Sequence, residues 1–185
     1  MDKNEVTSPT AALESVLLTA IIDAKEGRDV AVIDIPNAFI QAHLENEEDN
    51  AIMHMRGTLA ELLVKVAPKI YTKYITINAK GETVLYIHLL NALYGIIKAA
   101  LLFYQQFVKY LKSIGFELNP YDPCVANKHI RGTQLTIVWH VDNLKVSQRK
   151  VSVLNKIIQW LKSTYERLFE DGSGAMSVSC IKVHE

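Results

Sequence analysis

The sequence predicts an α+β fold in which helices pack on one face of an antiparallel sheet. Short apolar runs of strand length, such as Val30–Asp34 and Thr83–Ile87, are bounded by turn residues. The run Leu135–Ser147 is interrupted by a short polar insertion and therefore predicts a hairpin. Two longer segments, Leu93–Gly115 and Val151–Tyr165, repeat apolar residues at helical spacing. Several strands with a few long helices are typical of the α+β class.

The first part of the chain predicts a helix, a central strand and a polar loop. Ser8–Pro9 has the composition of a helix start, and the apolar spacing of Ala11–Lys25 predicts a helix that Gly27 ends. Val30–Asp34 is apolar up to its last residue, so it predicts a buried strand with a carboxylate at its end. The acidic segment His43–Asn50 is typical of a solvated loop.

The other elements follow from apolar patterns bounded by Gly, Pro and Asn. Pro68 ends a short helix, and Asn78–Gly81 is the turn of a hairpin. In chain order the sequence predicts a strand at Ala51–Met55, a helix at Thr58–Val66, strands at Ile75–Ile77, Thr83–Ile87 and Phe116–Asn119, a turn at Pro120–Pro123, a turn at Asp171–Gly174, and a last strand at Met176–Val183. The segment Cys124–Lys128 is expected to lead through Arg131–Gly132 into the strand that reaches the hairpin.

Composition limits the classes of function. The chain has 185 residues, 49% hydrophobic and 22% charged, which is typical of one globular domain. Its formal net charge is zero, so nucleic-acid binding would need a local basic groove. Six histidines without ligand spacing disfavour a zinc site, and Cys124 and Cys180 lack Cys-x-x-Cys spacing. No signal pattern or membrane-spanning run occurs, which predicts an intracellular protein without a membrane partner.

Two carboxylates, Asp34 and Asp142, each end an apolar run that predicts a buried strand. Two-metal sites need this arrangement, because anionic oxygens on rigid elements hold divalent ions about 4 Å apart. The alternative is that Asp142 belongs to an ordinary solvated turn. A third acid, Asp122, lies in a Tyr-Asp-Pro sequence, which is strong turn chemistry and favours a structural role.

Three stretches carry a resemblance to a known family. Val32–Ile40 reads VIDIPNAFI, Ala92–Tyr104 reads ALYGIIKAALLFY, and the hairpin insertion His140–Asn143 reads HVDN. In order and spacing they resemble the first catalytic motif, the helix after the template-contacting turn, and the catalytic hairpin of the reverse transcriptase of copia-type retrotransposons. The resemblance runs from about Ser8 to the end of the chain.

The resemblance implies the palm of a polymerase, with helices on one face of its sheet and the acids on the other side. Asp34 and Asp142 would bind two Mg²⁺ or Mn²⁺ ions, and the backbone carbonyl of Ile35 would add a ligand. These ions would promote transfer of a nucleotide to a primer 3′-hydroxyl.

The same resemblance implies an RNA or DNA template-primer and deoxynucleoside triphosphates as partners. Phe39 would lie under the sugar of the nucleotide and exclude a 2′-hydroxyl, whereas core packing is the plainer alternative. Tyr94 and Gly95 would let the backbone approach the template while Lys98 contacts a phosphate. A helix N-terminal turn with a solvated lysine explains these three residues equally well.

The chain departs from the family's pattern in three places. His140 replaces the hairpin tyrosine, Asn143 replaces its second aspartate, and Lys98–Ala100 replaces a Gln-Ala-Pro, while Val141 occupies the variable hairpin position. An amide in place of a carboxylate removes roughly 8 kcal/mol of gross attraction to a divalent ion at about 4 Å and an effective dielectric of about 20. Because desolvation and water ligands offset much of this, the site is expected to be weakened rather than abolished.

The resemblance also sets expectations for domain organisation and cell biology. Residues 1–185 are expected to form a single partial reverse transcriptase domain, the palm plus part of the fingers, without upstream fingers and downstream RNase H. Such a domain would belong to a Gag-Pol-like polyprotein in cytoplasmic virus-like particles or the nucleus. Three functions remain open: a non-catalytic or nucleic-acid-binding remnant, an active RNA-directed DNA polymerase, and a palm-like nucleotide cyclase that needs no primer.

Overall fold

The computed structural model describes residues 7–44, 51–165 and 176–182 of the chain. Two compact units are present: the sheet unit, Met1–Ala42 with Leu93–Glu185, and the inserted unit, His43–Ala92. Each combines helix with antiparallel sheet, which confirms the α+β class. Residues 45–50 of the expected acidic loop, and the expected turn at Asp171–Gly174, lie outside the described residues.

The described elements agree closely with the predicted strands and helices, and two differences stand out. A helix begins at Pro68, where the sequence predicts only a helix end, because proline is well suited to a first helical turn. The long helix begins at Ala99 instead of Leu93. In chain order the elements are α1 (Leu13–Glu26), β1 (Asp29–Asp34), a 3₁₀ helix (Ala38–Gln41), β2 (Ala51–Arg56), α2 (Thr58–Val66), α3 (Pro68–Tyr71), a 3₁₀ helix (Thr72–Tyr74), β3 (Ile75–Ile77), β4 (Thr83–Leu89), α4 (Ala99–Ser113), β5 (Glu117–Leu118), β6 (Val125–Ile130), β7 (Thr133–His140), β8 (Asn143–Gln148), α5 (Val151–Tyr165) and β9 (Ser177–Lys182).

The sheet unit contains six antiparallel strands in the order β5-β6-β7-β8-β1-β9. Strand β1 therefore lies between β8 and β9, and its backbone is hydrogen-bonded on both sides. The register places Asp34 opposite Asn143 of β8 and opposite Ser177 of β9. A residue at the end of β1 is thus held by two neighbours, which is how the sequence fixes the position of Asp34.

One face of this sheet forms the main core against α4 and α5. Cross-strand register puts Trp139, Leu144 and Ile33 on this face, and all three are buried. The ring of Phe107 from α4 meets Trp139 edge-on at 5.2 Å between centroids, and Tyr165 from α5 lies 6.3 Å from the same phenylalanine. Interlocking aromatic rings therefore join both helices to the sheet.

The opposite face is covered in part by α1, so the expectation that the helices share one face is wrong for this helix. Lys145 pairs across the strands with Val138 and Val32, so its side chain lies on the face of the sheet away from α4 and α5. Its ammonium donates to Asp23 of α1 at 2.7 Å and to Thr19 of α1 at 2.9 Å. A pairing between residues 122 positions apart decides this packing, and local periodicity carries no signal for it.

The inserted unit contains a three-stranded antiparallel sheet in the order β2-β4-β3 with α2 beside it. Ala60 of α2 and Val84 and Leu85 of β4 are buried and supply its small core. The hairpin of β3 and β4 has the predicted turn, in which the Asn78 side chain accepts from the backbone N–H of Lys80 and Glu82. Among the described residues, no helix has both the length and the apolar character needed to cross a membrane.

Candidate active site

Asp34 ends β1 at the edge of the sheet where the β7–β8 hairpin turns. Along β1, Ala31 and Ile33 are buried, whereas Val32 and Asp34 are exposed on the other face. This alternation is the pleat of a strand whose two faces meet different surroundings. The buried residues anchor the strand, and the carboxylate at its end reaches solvent.

The β7–β8 hairpin is closed by a two-residue loop, Val141–Asp142, between the paired residues His140 and Asn143. The backbone N–H of Ile35 donates to the carbonyl oxygen of Asp142 at 3.0 Å. This bond joins the residue after Asp34 directly to the hairpin tip. The structure therefore brings the two sequence-predicted acids to one edge of the sheet, although they are 108 positions apart in the chain.

Val141 has a left-handed backbone with φ of +59°, which β-branched residues rarely adopt. Such a conformation costs of order 1–3 kcal/mol and persists only where the surrounding structure imposes it. The buried strands on either side, β7 and β8, impose it here. His140 is exposed, and Val141 and Asp142 are half-buried, so the acid lies at an accessible tip.

Asn143 is exposed and bonds to its neighbour: its Nδ2 donates to Asp142 Oδ1 at 3.0 Å. A carboxylate at position 143 could not donate this bond, because an ionised carboxylate only accepts. The amide therefore orients one Asp142 oxygen.

Phe39 and Tyr94 form an aromatic pair beside the acids, with ring centroids 4.8 Å apart at an angle of 46°. Asn37 starts the 3₁₀ helix that carries Phe39 with a left-handed φ of +51°, and Gln41 Nε2 donates to the Pro36 carbonyl at 2.8 Å. Burial raises the pKa of the Tyr94 phenol, and the Asp142 and Asp34 carboxylates raise it further. The phenol is therefore close enough to both acids to sense their charge and stays protonated at neutral pH.

The segment before α4 consists of turns, which corrects the expectation that Leu93 opens the helix. Gly95 has a φ of +99°, which only glycine adopts readily, and this interrupts helical geometry. No other atom lies within 4 Å of a Cβ built on Gly95, so backbone conformation alone requires glycine there. Lys98 is the residue that caps α4, and it is half-buried.

The atoms at this edge that could act as metal ligands are oxygens: the Asp34 and Asp142 carboxylates, the Asn143 amide oxygen and the Ile35 carbonyl. Oxygen-only donor sets suit hard divalent ions such as Mg²⁺ and Mn²⁺. Within the described part of the chain, no group of three or more His, Cys, Asp or Glu side chains could hold a metal ion. The set therefore fits a hard cation in chemistry but has two anionic members.

Asp122 has the structural role that its turn sequence favours. Its carboxylate is buried and accepts from the backbone N–H of Ala12 at 3.0 Å and of Cys124 at 2.9 Å. Burial alone would raise the pKa of Asp122, but hydrogen bonds from Ser15, Cys124 and Ala12 together hold it below its ordinary value. Asp122 thus caps α1, which begins at Leu13, a role that the sequence assigns to Ser8–Pro9.

Sequence reasoning missed the polar cluster that fixes α1 near the site. Lys145 lies two residues after Asn143 on the same face of β8 and bonds to Asp23, which is itself buried. The guanidinium of Arg28 lies 3.8 Å from Asp23 and donates to Thr136 at 3.0 Å. The available signal was a lysine between two apolar residues of the strand, Leu144 and Val146, because a partly buried charge needs a partner.

Comparison with known proteins identifies a family. The model of a family described as reverse transcriptase (RNA-dependent DNA polymerase) matches residues 1–173, a range that includes both Asp34 and Asp142. No curated protein and no solved structure matches the chain.

Proposed function

Because the chain belongs to the reverse transcriptase (RNA-dependent DNA polymerase) family, we propose that its sheet unit is the palm of a copia-type reverse transcriptase. The observation that carries this proposal is the bond from the Ile35 N–H to the Asp142 carbonyl. It joins the end of β1 to the hairpin tip and presents two carboxylates together. The inserted unit, on this proposal, is part of the fingers, and the chain belongs to a Gag-Pol-like polyprotein.

Asp34 and Asp142, with the Ile35 carbonyl and the Asn143 amide oxygen, are the residues that would hold Mg²⁺ or Mn²⁺. Bound divalent ions supply charge stabilisation to the attacking and leaving oxygens of an in-line phosphoryl transfer. The residues of the chain itself contribute rigid placement, since Asp34 is held between two strands and Asp142 by a two-residue turn. Rigid placement matters because a metal site tolerates little displacement of its ligands.

The aromatic pair of Phe39 and Tyr94 supports a nucleotide-binding role for this corner. The rings touch each other, and the phenol senses both carboxylates, so a nucleotide whose phosphates approach the acids would place its sugar near these rings. We assign Phe39 to the sugar. Gly95 and Lys98 keep the proposed template role, because the exposed turn at Gly95 leaves the backbone accessible there.

A non-catalytic remnant is the second candidate, and Asn143 favours it. The site has two carboxylates and an amide that donates to one of them, so it carries less negative charge than the three-acid pattern of the family. On this alternative the fold persists without nucleotidyl transfer. The difference between the two candidates is therefore located at one side chain.

Primer extension on an RNA template with a DNA primer, deoxynucleoside triphosphates and Mg²⁺ or Mn²⁺ separates the candidates. We expect weak extension by the chain, stronger extension by Asn143→Asp, and none by Asp34→Asn. Asn155→Asp is the matched control, because it adds the same carboxylate at an exposed position of α5. A reaction without primer tests cyclase chemistry.

Each outcome has one reading when circular dichroism shows that the proteins are folded. Extension only after Asn143→Asp locates the defect at that residue. Failure of both the chain and Asn143→Asp supports the remnant. Equal stimulation by Asn155→Asp would contradict the proposed role of position 143.

A further inference from the structure

A cavity of about 310 Å³ lies at the end of the sheet unit opposite the acids. It opens beside the β6–β7 turn, whereas Asp142 follows the other end of β7. Seven residue steps of β7 separate these ends, which corresponds to roughly 23 Å. This cavity is therefore separate from the candidate active site. Its lining residues come from the α4–β5 connection, from β6, β7 and their turn, and from α5.

Apolar side chains form the walls of the cavity. Phe116, Leu135 and Ile157 are buried, and the half-buried indole of Trp160 closes one side. The volume is at the lower end of the range for small-molecule pockets, roughly 300–1,000 Å³. Walls of this kind favour a compact aromatic or branched aliphatic group.

Positive charge surrounds the opening. Lys156 and Arg131 are exposed at the rim, and none of the residues that line the cavity is acidic. Lys128 is held in place, because its ammonium donates to the Ile114 carbonyl and lies 6.0 Å from the centre of the Phe116 ring. Lys150 adds a further cation, since its ammonium lies 3.4 Å from the Arg131 carbonyl oxygen.

We propose that this cavity binds small organic monoanions with a compact aromatic or branched aliphatic body. The body would fill the apolar interior, and a carboxylate or sulfonate would meet Lys156 and Arg131 at the rim. The apolar interior and the cationic rim are thus contacted by separate parts of one ligand. This inference goes beyond the proposed function and does not depend on it, because none of the residues involved belongs to the Asp34–Asp142 edge.

Naphthalene-2-sulfonate is a suitable probe, with neutral 2-naphthol as its uncharged analogue. The chain has two tryptophans, of which Trp139 is buried on the sheet and Trp160 borders the cavity. Binding of the probe should quench Trp160 fluorescence, and the quenching should disappear in Trp160→Phe. Ligand-observed NMR on the same samples gives the dissociation constants independently of fluorescence.

Charge at the rim is tested with Lys156→Gln, and Lys109→Gln on the exposed surface of α4 is the matched control. One unit charge about 5 Å away in water contributes close to a fourfold change in affinity, so Lys156→Gln should weaken sulfonate binding about fourfold at low salt. The control variant should bind like the unaltered chain, and 2-naphthol should bind all three proteins equally. Equal binding of sulfonate by the two variants, or quenching that survives in Trp160→Phe, would overturn the proposal.

Discussion

Two aspartates at turns of the same unit, Asp122 and Asp142, are used in opposite ways. Asp122 is only 5% exposed, and its two carboxylate oxygens accept from backbone N–H groups of two different segments. Asp142 is half-buried at a hairpin tip, and its carboxylate accepts a hydrogen bond from the side chain of the next residue, Asn143. One carboxylate completes the fold, whereas the other points to a solvent-accessible edge.

Backbone strain gives a second comparison, between the β6–β7 turn and the β7–β8 turn that carries Asp142. At the β6–β7 turn, positive φ values fall on Arg131 and Gly132, a pattern that suits tight hairpins. At the β7–β8 turn, the positive φ falls on Val141, a residue type that resists it. Strain of this kind is concentrated at functional sites, so the backbone independently distinguishes the Asp142 turn.

The largest expected difference is in stability. Asp122→Ala should lower the free energy of unfolding by about 2 kcal/mol, because it removes a helix cap and leaves the buried N–H of Cys124 without its partner. Asp142→Ala should change it by less than about 0.5 kcal/mol, as expected for an accessible residue with no capping role. Urea denaturation followed by circular dichroism measures both.

Asp122→Asn is the conservative control for this pair. Asp122→Asn keeps one acceptor oxygen, so its free energy of unfolding should fall between that of the alanine variant and that of the unaltered chain. Equal destabilisation by Asp122→Ala and Asp142→Ala would remove the distinction between a structural and an accessible carboxylate.

The next effect concerns the two turns. Val141→Gly should raise the free energy of unfolding by about 1 kcal/mol, because glycine adopts a left-handed φ without the Cβ clash. Gly132→Ala should lower it by a similar amount, about 1 kcal/mol, through backbone conformation alone, since a Cβ there meets no atom within 4 Å. Urea midpoints of the two variants give the comparison. Loss of stability in Val141→Gly would show that Val141 packing outweighs its backbone cost.

A smaller effect is the pH dependence of the Asp122 contribution. The hydrogen bonds hold the folded-state pKa of Asp122 below its ordinary value, so its stabilisation is fully present above the unfolded pKa of about 3.9. It is lost as the pH falls through the lower folded-state pKa. The stability difference between the chain and Asp122→Asn should therefore narrow in acid. Urea denaturation of both proteins from neutral pH downward measures this, and a constant difference would contradict the inferred charge state.

Much of the fold could be predicted because its signals are local. Every predicted strand is present, the helix Thr58–Val66 has the predicted bounds, and the hairpin around Asp142 follows from two apolar runs and a polar insertion. The predicted start of α4 at Leu93 was wrong, because apolar periodicity continues through Leu93–Lys98 while a single positive φ at Gly95 breaks the helix.

What could not be predicted depends on contacts between distant residues. The N-terminus of α1 is capped by an acid 110 residues away, and the face on which α1 lies follows from the pairing of Lys145 with Asp23. In the candidate site, the position of Asp34 could be inferred from its strand. The approach of Tyr94 to both acids could not, because it depends on a turn whose geometry has no periodic signature.

The smallest effect is electrostatic and tests whether Tyr94 really senses the acids. Its pKa is raised above 10.0 by burial first and then by Asp142 and Asp34, so Asp142→Asn should lower it. Tyr104 provides the internal control: burial raises its pKa first, followed by Cys124 and Asp122, and Asp122→Asn should act on it instead. NMR titration of ¹³Cζ-labelled tyrosine, without divalent ions, resolves both phenols. A Tyr94 pKa that ignores Asp142→Asn would place the phenol away from the hairpin and remove it from the proposed nucleotide site, while leaving the Ile35–Asp142 bond unaffected.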